Sequence, residues 1–475
     1  MHTNRRVFIQ RSALAATALS LSRFCTADDR AGGFTFPDCG KAKPRSRKPG
    51  EALNVGVIGV GGKGWVNWWP FVNMGENVVA LCDTDRKETA RAMEELAQIN
   101  KAQGVKTYTD YRKMLDECKD LDVVLVSTPD HTHAPAAIRA MKQGCHVYVE
   151  KPLVHTVWDA NYFRAVAKAN GVVTQMGNQG SSDDGFRRNV EVIESGILGD
   201  VKEVHVWTNR PIWGGQGREC PQGEDPVPEN VDWESWLGTA KARPFKTGIY
   251  HRFAWRAFLD FGTGAFGDMA CHTMNLPYRA LKLKDLASVE CTQIEGSNKD
   301  TYPSKSVVKM AYAARGNMPA VDLYWYDGNL KPPEAIMPHV TATFGEVPNT
   351  GCFIIGDKGV ALSENDLGAV AYVGFPGETK MKAIVKGDVF AGIPEHYPRV
   401  HGQHYKEFIM ACKGEGKCFS DIDFSVPMVE GILLGCIAQQ CPGQKLIWND
   451  MYKLFANSDK ANALLRPHIR AGWEY

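Results

Sequence analysis

Several patterns that would point to other classes of protein are missing from this sequence. Its 13 cysteines form no CxxC pair, and no GxSxG motif, internal repeat or low-complexity tract occurs. Lys and Arg number 55 against 54 Asp and Glu, so no charge excess attracts nucleic acid or an anionic membrane. We interpret the cysteines as buried free thiols and find no support for a serine or cysteine nucleophile. A length of 475 residues accommodates two domains with sizeable cores.

No apolar run at the N-terminus is long enough to span a bilayer, but the first 27 residues resemble an export signal. Asn4-Arg5-Arg6-Val7-Phe8-Ile9-Gln10 is a twin-arginine pattern, residues 12–21 are moderately apolar, and small residues follow at 25–27. We expect residues 1–27 to be a twin-arginine signal peptide, with no membrane insertion and a periplasmic or other extracytoplasmic location. Residues 28–50, rich in Pro, Lys and Arg, are predicted to be a linker.

A short apolar run leading into a glycine-rich turn opens the first domain. The run 55–60 precedes Gly59-x-Gly61-x-x-Gly64, and a second run, 78–82, ends at Asp83, about twenty residues on. This order is typical of a dinucleotide-binding unit, in which the glycines allow a tight turn beside the pyrophosphate and the acid binds the adenosine ribose. Asp83 with no arginine directly after it favours NAD over NADP, although Arg86 leaves NADP open.

The pattern of apolar segments divides the rest of the chain. From residue 51 to 178, strand-like runs alternate with amphipathic helices, including helices predicted over 86–101, 111–118 and 134–143. This alternation predicts an α/β fold with a doubly wound parallel sheet. Residues 179–440 are predicted to form an α+β domain with an open, mostly antiparallel sheet, built from strands at 201–207, 286–294, 306–312 and 320–325. Residues 441–475 are expected to be a tail that packs back on the body.

Three motifs carry polar residues suited to chemistry. Ser127-Thr128-Pro129-Asp130-His131-Thr132-His133 ends the fourth predicted strand, and Glu150-Lys151-Pro152 ends the fifth, so both lie at the edge of the sheet that faces the cofactor. A glycine-rich segment from 262 leads into a helix on which Asp268 and His272, four residues apart, share one face.

The glycine loop, Glu150-Lys151-Pro152 and Asp268-x-x-x-His272, in this order, resemble the Gfo/Idh/MocA family of glucose–fructose oxidoreductases and inositol dehydrogenases, including its secreted branch. The resemblance covers about residues 51–440 and is strongest over 53–155 and 255–280. It implies a catalytic group of Lys151, Asp268 and His272, and family members often form homo-oligomers. The cofactor residues it implies are Gly59, Gly61, Gly64, Asp83, Thr128, Pro129, His133, Glu150 and Lys151. Substrate contacts are expected at Asn178, Gln179, Trp255 and Arg256.

The residue types suit the oxidation of a secondary alcohol. Histidine, with an ordinary pKa near 6.5, is a suitable base for the hydroxyl proton. We expect Asp268 to orient the His272 imidazole and Lys151 to stabilise the developing alkoxide. A metal site is the alternative for Asp130-His131-x-His133 and for His401-x-x-His404, but neither pair has a third ligand with suitable spacing, so no metal is predicted.

The leading hypothesis is an exported NAD(P)-dependent oxidoreductase that acts on a small carbohydrate, glycoside or polyol. Because free dinucleotide should be scarce outside the cytoplasm, we expect the cofactor to be held tightly and regenerated within the cycle. The alternative is an NAD-dependent glycoside hydrolase on the same scaffold, which oxidises C3 transiently, eliminates the aglycone, adds water and reduces again. A non-catalytic dinucleotide-binding protein is a third class.

Overall fold

The computed structural model describes residues 33–48, 50–385 and 388–475. The predicted signal peptide over residues 1–27 lies outside the described residues.

Six parallel strands form the first sheet, in the order β3-β2-β1-β4-β5-β6. The strands are β1 (Asn54–Ile58), β2 (Asn77–Cys82), β3 (Lys106–Tyr108), β4 (Val123–Val126), β5 (His146–Val149) and β6 (Thr174–Met176). The helices between them are α1 (Lys63–Asn73), α2 (Arg86–Gln98), α3 (Tyr111–Glu117), α4 (Asp130–Met141) and α5 (Val157–Asn170). Every residue of β4 and β5 is buried, as expected for parallel strands covered by helices on both faces. The predicted doubly wound α/β domain is confirmed.

Helix α4 begins four residues earlier than predicted. It starts at Asp130, directly after Pro129, and Asp130 in its first turn favours the positive end of the helix dipole. The run Asp-His-Thr-His has low helix propensity, which is why the sequence pattern left it outside the helix predicted over 134–143. His131 and His133 are instead buried helical residues.

Ten strands form the second sheet, in the order β14-β13-β12-β11-β7-β10-β9-β8-β15-β16. They are β7 (Val201–Trp207), β8 (Leu286–Glu295), β9 (Lys305–Tyr312), β10 (Val321–Tyr326), β11 (Gly351–Gly356), β12 (Val360–Ser363), β13 (Ala371–Gly374), β14 (Lys382–Ala383), β15 (Leu446–Asn449) and β16 (Leu454–Phe455). The β7–β10 pair is parallel, and the other neighbours are antiparallel. The expectation of a mostly antiparallel second sheet is confirmed.

The remaining helices are α6 (Asp184–Glu194), α7 (Trp233–Leu237), α8 (Gly264–Thr273), α9 (Asn275–Ala280), α10 (Pro338–Phe344), α11 (His404–Cys412), α12 (Ile422–Gln439) and α13 (Asp459–Ala463). Helix α12 packs against α8, α5 and β8. Among the described residues it alone is long and apolar enough to cross a membrane, but 78% of it is buried inside the protein, as in a core helix.

Both ends of the described chain are anchored on the body. In the predicted linker, Phe34, Phe36 and Cys39 are buried, and the Phe36 ring stacks on Tyr162 of α5 at 5.0 Å. These few apolar side chains hold residues 33–48 against the first domain. At the other end, β15 pairs with β8, and Trp473 is buried.

Candidate active site

A cavity of about 630 Å³ lies at the carboxyl ends of β1, β2, β4 and β5. Ligands of doubly wound sheets bind at this edge, where the strand order reverses. Helix α8 and the segment 208–258, which leaves β7, form the other walls. The first domain therefore supplies the floor of the cavity and the second domain its cover.

The glycine loop leaves the end of β1 free for a ligand to approach. Gly59 has φ +83° and lines the cavity with Gly61, and a Cβ on Gly59 would lie 2.5 Å from the Ser127 carbonyl oxygen. Gly64 lies behind the cavity, where a Cβ would be 1.9 Å from the Gly59 carbonyl oxygen. Close packing of the helix on the strand thus requires the third glycine.

Asp83 lies directly beside this loop. Its Oδ2 accepts hydrogen bonds from the amides of Val60 (2.8 Å) and Gly61 (3.1 Å), and its Oδ1 accepts from Asp85 (2.9 Å). Burial raises the pKa of this carboxyl, against the lowering effect of those amides. The Arg86 guanidinium donates to the Glu229 carbonyl and does not line the cavity. The glycines, Asp83 and the cavity volume fit a nicotinamide dinucleotide, with Asp83 placed for the ribose hydroxyls.

Lys151 and Asp268 meet across the two domains. The Lys151 ammonium donates to Asp268 Oδ1 at 2.5 Å and to the Asp268 carbonyl at 2.7 Å, and Arg256 Nε donates to the same Oδ1 at 3.2 Å. Burial alone would raise the pKa of Asp268, but the charges of Lys151 and Arg256 lower it to about 2. Asp268 is therefore an ionised partner of two cations.

His272 lines the same cavity, one helical turn after Asp268, and is half-buried. Burial, with the charge of Lys151, lowers its pKa to about 3. The imidazole is therefore neutral near pH 7. The expected pairing of Asp268 with this imidazole is not found among the hydrogen bonds of the described residues; Asp268 Oδ1 pairs with Lys151 and Arg256 instead.

Glu150 is fixed by side chains from both domains. Its Oε1 accepts from Asn67 Nδ2 and from Gln179 Nε2, each at 3.0 Å, and it lines the cavity with Gln179. Asn178, expected beside Gln179 in the substrate site, is fully buried and does not line the cavity. The backbone turns between these neighbours, so that only one side chain of the pair reaches the ligand space.

Thr128 and Pro129 line the cavity, but His133 does not. His133 is 1% exposed, and its Nε2 lies 2.9 Å from the Thr128 carbonyl oxygen, so it supports the loop from behind. The expectation that His133 contacts the cofactor is corrected for this reason. His131 contacts backbone carbonyls, His401 pairs with Asp184, and no group of three metal-ligating side chains occurs among the described residues.

The expected substrate residues Trp255 and Arg256 both line the cavity. The Arg256 guanidinium lies 4.2 Å from the Trp255 ring centroid and 4.6 Å from that of Phe253. These stacked groups form one wall beside Asp268.

Further residues line the cavity that were not among the expected cofactor, substrate or catalytic residues. Lys63 lies between Gly62 and Gly64 of the loop, and its Nζ is 3.9 Å from Glu150 Oε1. Asp130 accepts a hydrogen bond from Thr263 (2.7 Å), and burial raises its pKa to about 7. Lys63 and Asp130 fall within recognised motifs and were open to prediction. Other lining residues come from parts of the chain without a motif, among them Glu88, Arg210, Ile212, His251, Arg252, Phe253 and Asp366.

The glycine loop lies where the strand order of the parallel sheet reverses, and the second domain covers it. This arrangement defines a two-domain dinucleotide-binding protein. Two family models match: "Oxidoreductase family, NAD-binding Rossmann fold" over residues 53–178 and "Oxidoreductase family, C-terminal alpha/beta domain" over residues 187–317. Together they cover more than half of the chain. The chain belongs to the Gfo/Idh/MocA oxidoreductase family, and its first domain binds NAD.

Curated relatives match over a smaller part of the chain. A glycosyl hydrolase family 109 protein from a Shewanella species is 35% identical over 164 residues, which is 33% of this chain and 35% of the relative. An alpha-N-acetylgalactosaminidase from Shewanella oneidensis is 39% identical over 111 residues, 22% of this chain and 24% of the relative. The chain thus aligns with about a third or less of these relatives' length.

Solved structures share the fold over most of the chain. An inositol dehydrogenase homologue from Azotobacter vinelandii, complexed with NADH and myo-inositol, has a TM-score of 0.56 and 16% identity, covering 86% of this chain and 100% of that one. The WlbA dehydrogenase from Bordetella pertussis, in complex with NADH and UDP-GlcNAcA, has a TM-score of 0.55 and 17% identity, covering 84% and 99%. At these identities the likeness establishes the fold alone.

Proposed function

We propose that this chain is an exported NAD-dependent oxidoreductase that oxidises or reduces a secondary hydroxyl of a sugar, glycoside or polyol and holds its cofactor tightly. The observation that carries the proposal is the Lys151–Asp268 pair, which lies with a neutral His272 in the cavity of the glycine loop. The twin-arginine pattern over residues 4–10 supports export.

Each side chain has a chemical role in this proposal. Bound NAD supplies the hydride acceptor. His272 lines the cavity beside Lys151 and accepts the hydroxyl proton at a ring nitrogen, which is unprotonated near pH 7. Lys151 donates a hydrogen bond to the substrate oxygen and stabilises its developing negative charge. Asp268, which also accepts from Arg256, positions the Lys151 ammonium, and Glu150 is fixed by Asn67 and Gln179.

The experiment starts from the protein as purified without added cofactor. Native mass spectrometry should show a bound dinucleotide, and sugars or polyols should then raise the absorbance of reduced nicotinamide. Lys151→Met should abolish the reduction, and dinucleotide still bound to the variant would show that the loss lies in the chemistry. A protein that carries no dinucleotide and turns over only with added NAD would contradict tight retention, and one whose cofactor no carbohydrate reduces would contradict the activity.

A second candidate function is NAD-dependent hydrolysis of a glycoside. Two observations favour it: the curated relatives are named as glycosyl hydrolases, and the cavity wall includes two exposed apolar side chains, Ile212 (62% exposed) and Phe253 (51% exposed). An apolar surface beside the reacting sugar suits an aglycone.

A chromogenic glycoside given without an electron acceptor separates the two functions. A hydrolase releases many aglycones per protein molecule, because the redox steps cancel within each cycle. A dehydrogenase stops once its bound NAD is reduced.

A further inference from the structure

One segment of the second domain crosses the end of the cavity that holds Asp83. This segment, residues 228–252, is called the strap. Its backbone pairs with the first domain: the Arg86 amide donates to the Asn230 carbonyl (2.9 Å), and the Asp232 amide donates to the Thr84 carbonyl (2.8 Å). The strap is thus joined to the chain directly after β2, where the adenosine ribose is expected.

Side chains fix the first part of the strap more firmly. Asn230 Nδ2 donates to Asp85 Oδ1 at 2.6 Å, and Thr109 Oγ1 donates to Asp232 Oδ2 at 2.9 Å. Asp85 is 1% exposed, and although burial alone would raise its pKa, hydrogen bonds and nearby Arg252 bring it below the ordinary value. Asn230 and Asp232 do not line the cavity, so this part anchors the strap outside the ligand space.

The last residues of the strap do face the cavity. Arg252 donates to Asp85 Oδ2 at 3.0 Å and pairs with Glu88 Oε1 at 2.7 Å, and His251 Nε2 lies 3.3 Å from the same Asp85 oxygen. Glu88 borders the glycine loop, since a Cβ on Gly61 would lie 2.6 Å from its carboxyl carbon. These two ion pairs of Arg252, called the clasp, join the cover of the cavity to the edge of the glycine loop.

The clasp is the solvent-exposed part of the contact between the strap and the first domain. The Arg252 side chain is 59% exposed, whereas its partners are 2% and 13% exposed. Ion pairs with an exposed member are weak and sensitive to salt, so they break and reform without unfolding of the anchored part.

We propose that the clasp is a gate for the dinucleotide, which enters and leaves the cavity when Arg252 is separated from Asp85 and Glu88. The inference rests on the proposed function for its NAD-dependent site. A gate scales association and dissociation by the same factor, because both need the open state. A residue that only contacts the bound cofactor changes dissociation alone.

The test compares the wild-type protein with Arg252→Ala, after removal of bound cofactor, by stopped-flow fluorescence of NADH binding. Both rate constants should rise by about three- to tenfold, the range expected from exposed ion pairs, while the dissociation constant changes much less. Arg218→Ala, an exposed arginine of the same 208–258 segment that does not line the cavity, is the matched control and should leave both rates unchanged.

A second variant and a salt series test the gate independently, in case Arg252→Ala does not fold. Glu88→Gln keeps the Asp85 pair and should raise both rates by a smaller factor. Added salt should speed both rates in the wild-type protein and have less effect in Arg252→Ala.

The gate is refuted if dissociation alone accelerates, or if neither rate changes in either variant. The two proposals can fail separately. If both rates change as expected but no carbohydrate reduces the bound NAD, the proposed oxidoreductase activity is refuted and the gate is not.

Discussion

At the residue scale, the His272 imidazole in the cavity is uncharged near pH 7. Burial and the Lys151 charge lower the pKa of His272, and the opposing effect of Asp268 does not restore it. Asp268 instead pairs with Lys151 and Arg256. The helical spacing of Asp268 and His272 correctly placed them on one face. It did not reveal that cations from other segments take the carboxylate, because spacing carries no information on tertiary partners.

Replacement of His272 by Asn should separate catalysis from cofactor binding. Loss of the base should slow reduction of bound NAD by about 10²- to 10⁴-fold, the usual contribution of a general base, with NADH affinity unchanged. Single-turnover absorbance and NADH fluorescence measure the two effects. His468→Asn, at an exposed position outside the cavity, should alter neither. A parallel loss of NADH affinity in His272→Asn would contradict the assignment.

The pH dependence of turnover should reflect the lowered pKa of His272. Since this pKa is about 3, the proton-accepting imidazole is fully present down to about pH 5, and kcat/KM should show no step near 6.5 from this residue. Asp130, whose pKa burial raises to about 7, is a cavity group able to give such a step. The pH profile of kcat/KM is therefore measured for the wild-type protein and for Asp130→Asn, in which a step from Asp130 should disappear. A step near 6.5 that persists both in Asp130→Asn and in His251→Asn, which removes the other imidazole lining the cavity, would belong to His272 and contradict the expectation.

At the scale of elements, the first strand and helix depend on a single missing methyl group. Gly64 lies in the first turn of α1, where a Cβ would be 1.9 Å from the Gly59 carbonyl oxygen. The glycine spacing and the preceding strand made this unit predictable from sequence. The start of α4 was not predictable, because the polar run after Pro129 is a weak helix former and is stabilised by its position beneath the second domain.

Gly64→Ala should destabilise the protein although alanine is the better helix former. The methyl group forces α1 away from β1, and overpacking of this kind lowers the free energy of unfolding by about 1–3 kcal/mol. NADH affinity should fall as well, since the loop moves with the helix. Gly392→Ala, where no atom lies within 4 Å of the added Cβ, is the control and should have little effect. Denaturant unfolding and NADH titration provide the measurements, and equal stability of the two variants would contradict the packing argument.

At the scale of the whole molecule, buried titratable groups link folding to pH. Burial lowers the pKa of His131, His133, His272 and His404 to about 3, and that of His146 to about 4. The unfolded chain binds protons on these imidazoles below pH 6.5 and the folded chain does not, so acidification favours unfolding. The carboxyls of Asp130, Asp159 and Asp327 act in the opposite direction, because burial raises their pKa to about 7, 6 and 7.

Burial also lowers the pKa of His155 and His205 and raises that of Asp83, Asp421 and Glu430. The seven imidazoles outnumber the six carboxyls, so the melting temperature should fall between about pH 6.5 and 4.5. Calorimetry at a series of pH values tests this. His272→Asn removes one of the imidazoles whose pKa is lowered and should flatten the dependence. A melting temperature that stays constant or rises on acidification would contradict the prediction.

Local sequence determined the parts of this protein that depend on short-range rules. The apolar runs fixed the strands, the glycine spacing fixed the dinucleotide loop, and Lys151, Asp268 and His272 stood out within short motifs. Tertiary structure alone decided which of these groups meet: Lys151 pairs with Asp268, His133 lies behind the cavity, and Arg252 closes the cover over Asp85 and Glu88. The reason is physical, since burial and the charge of a distant segment set both the pKa and the partner of a side chain, and neither is encoded in the residues beside it.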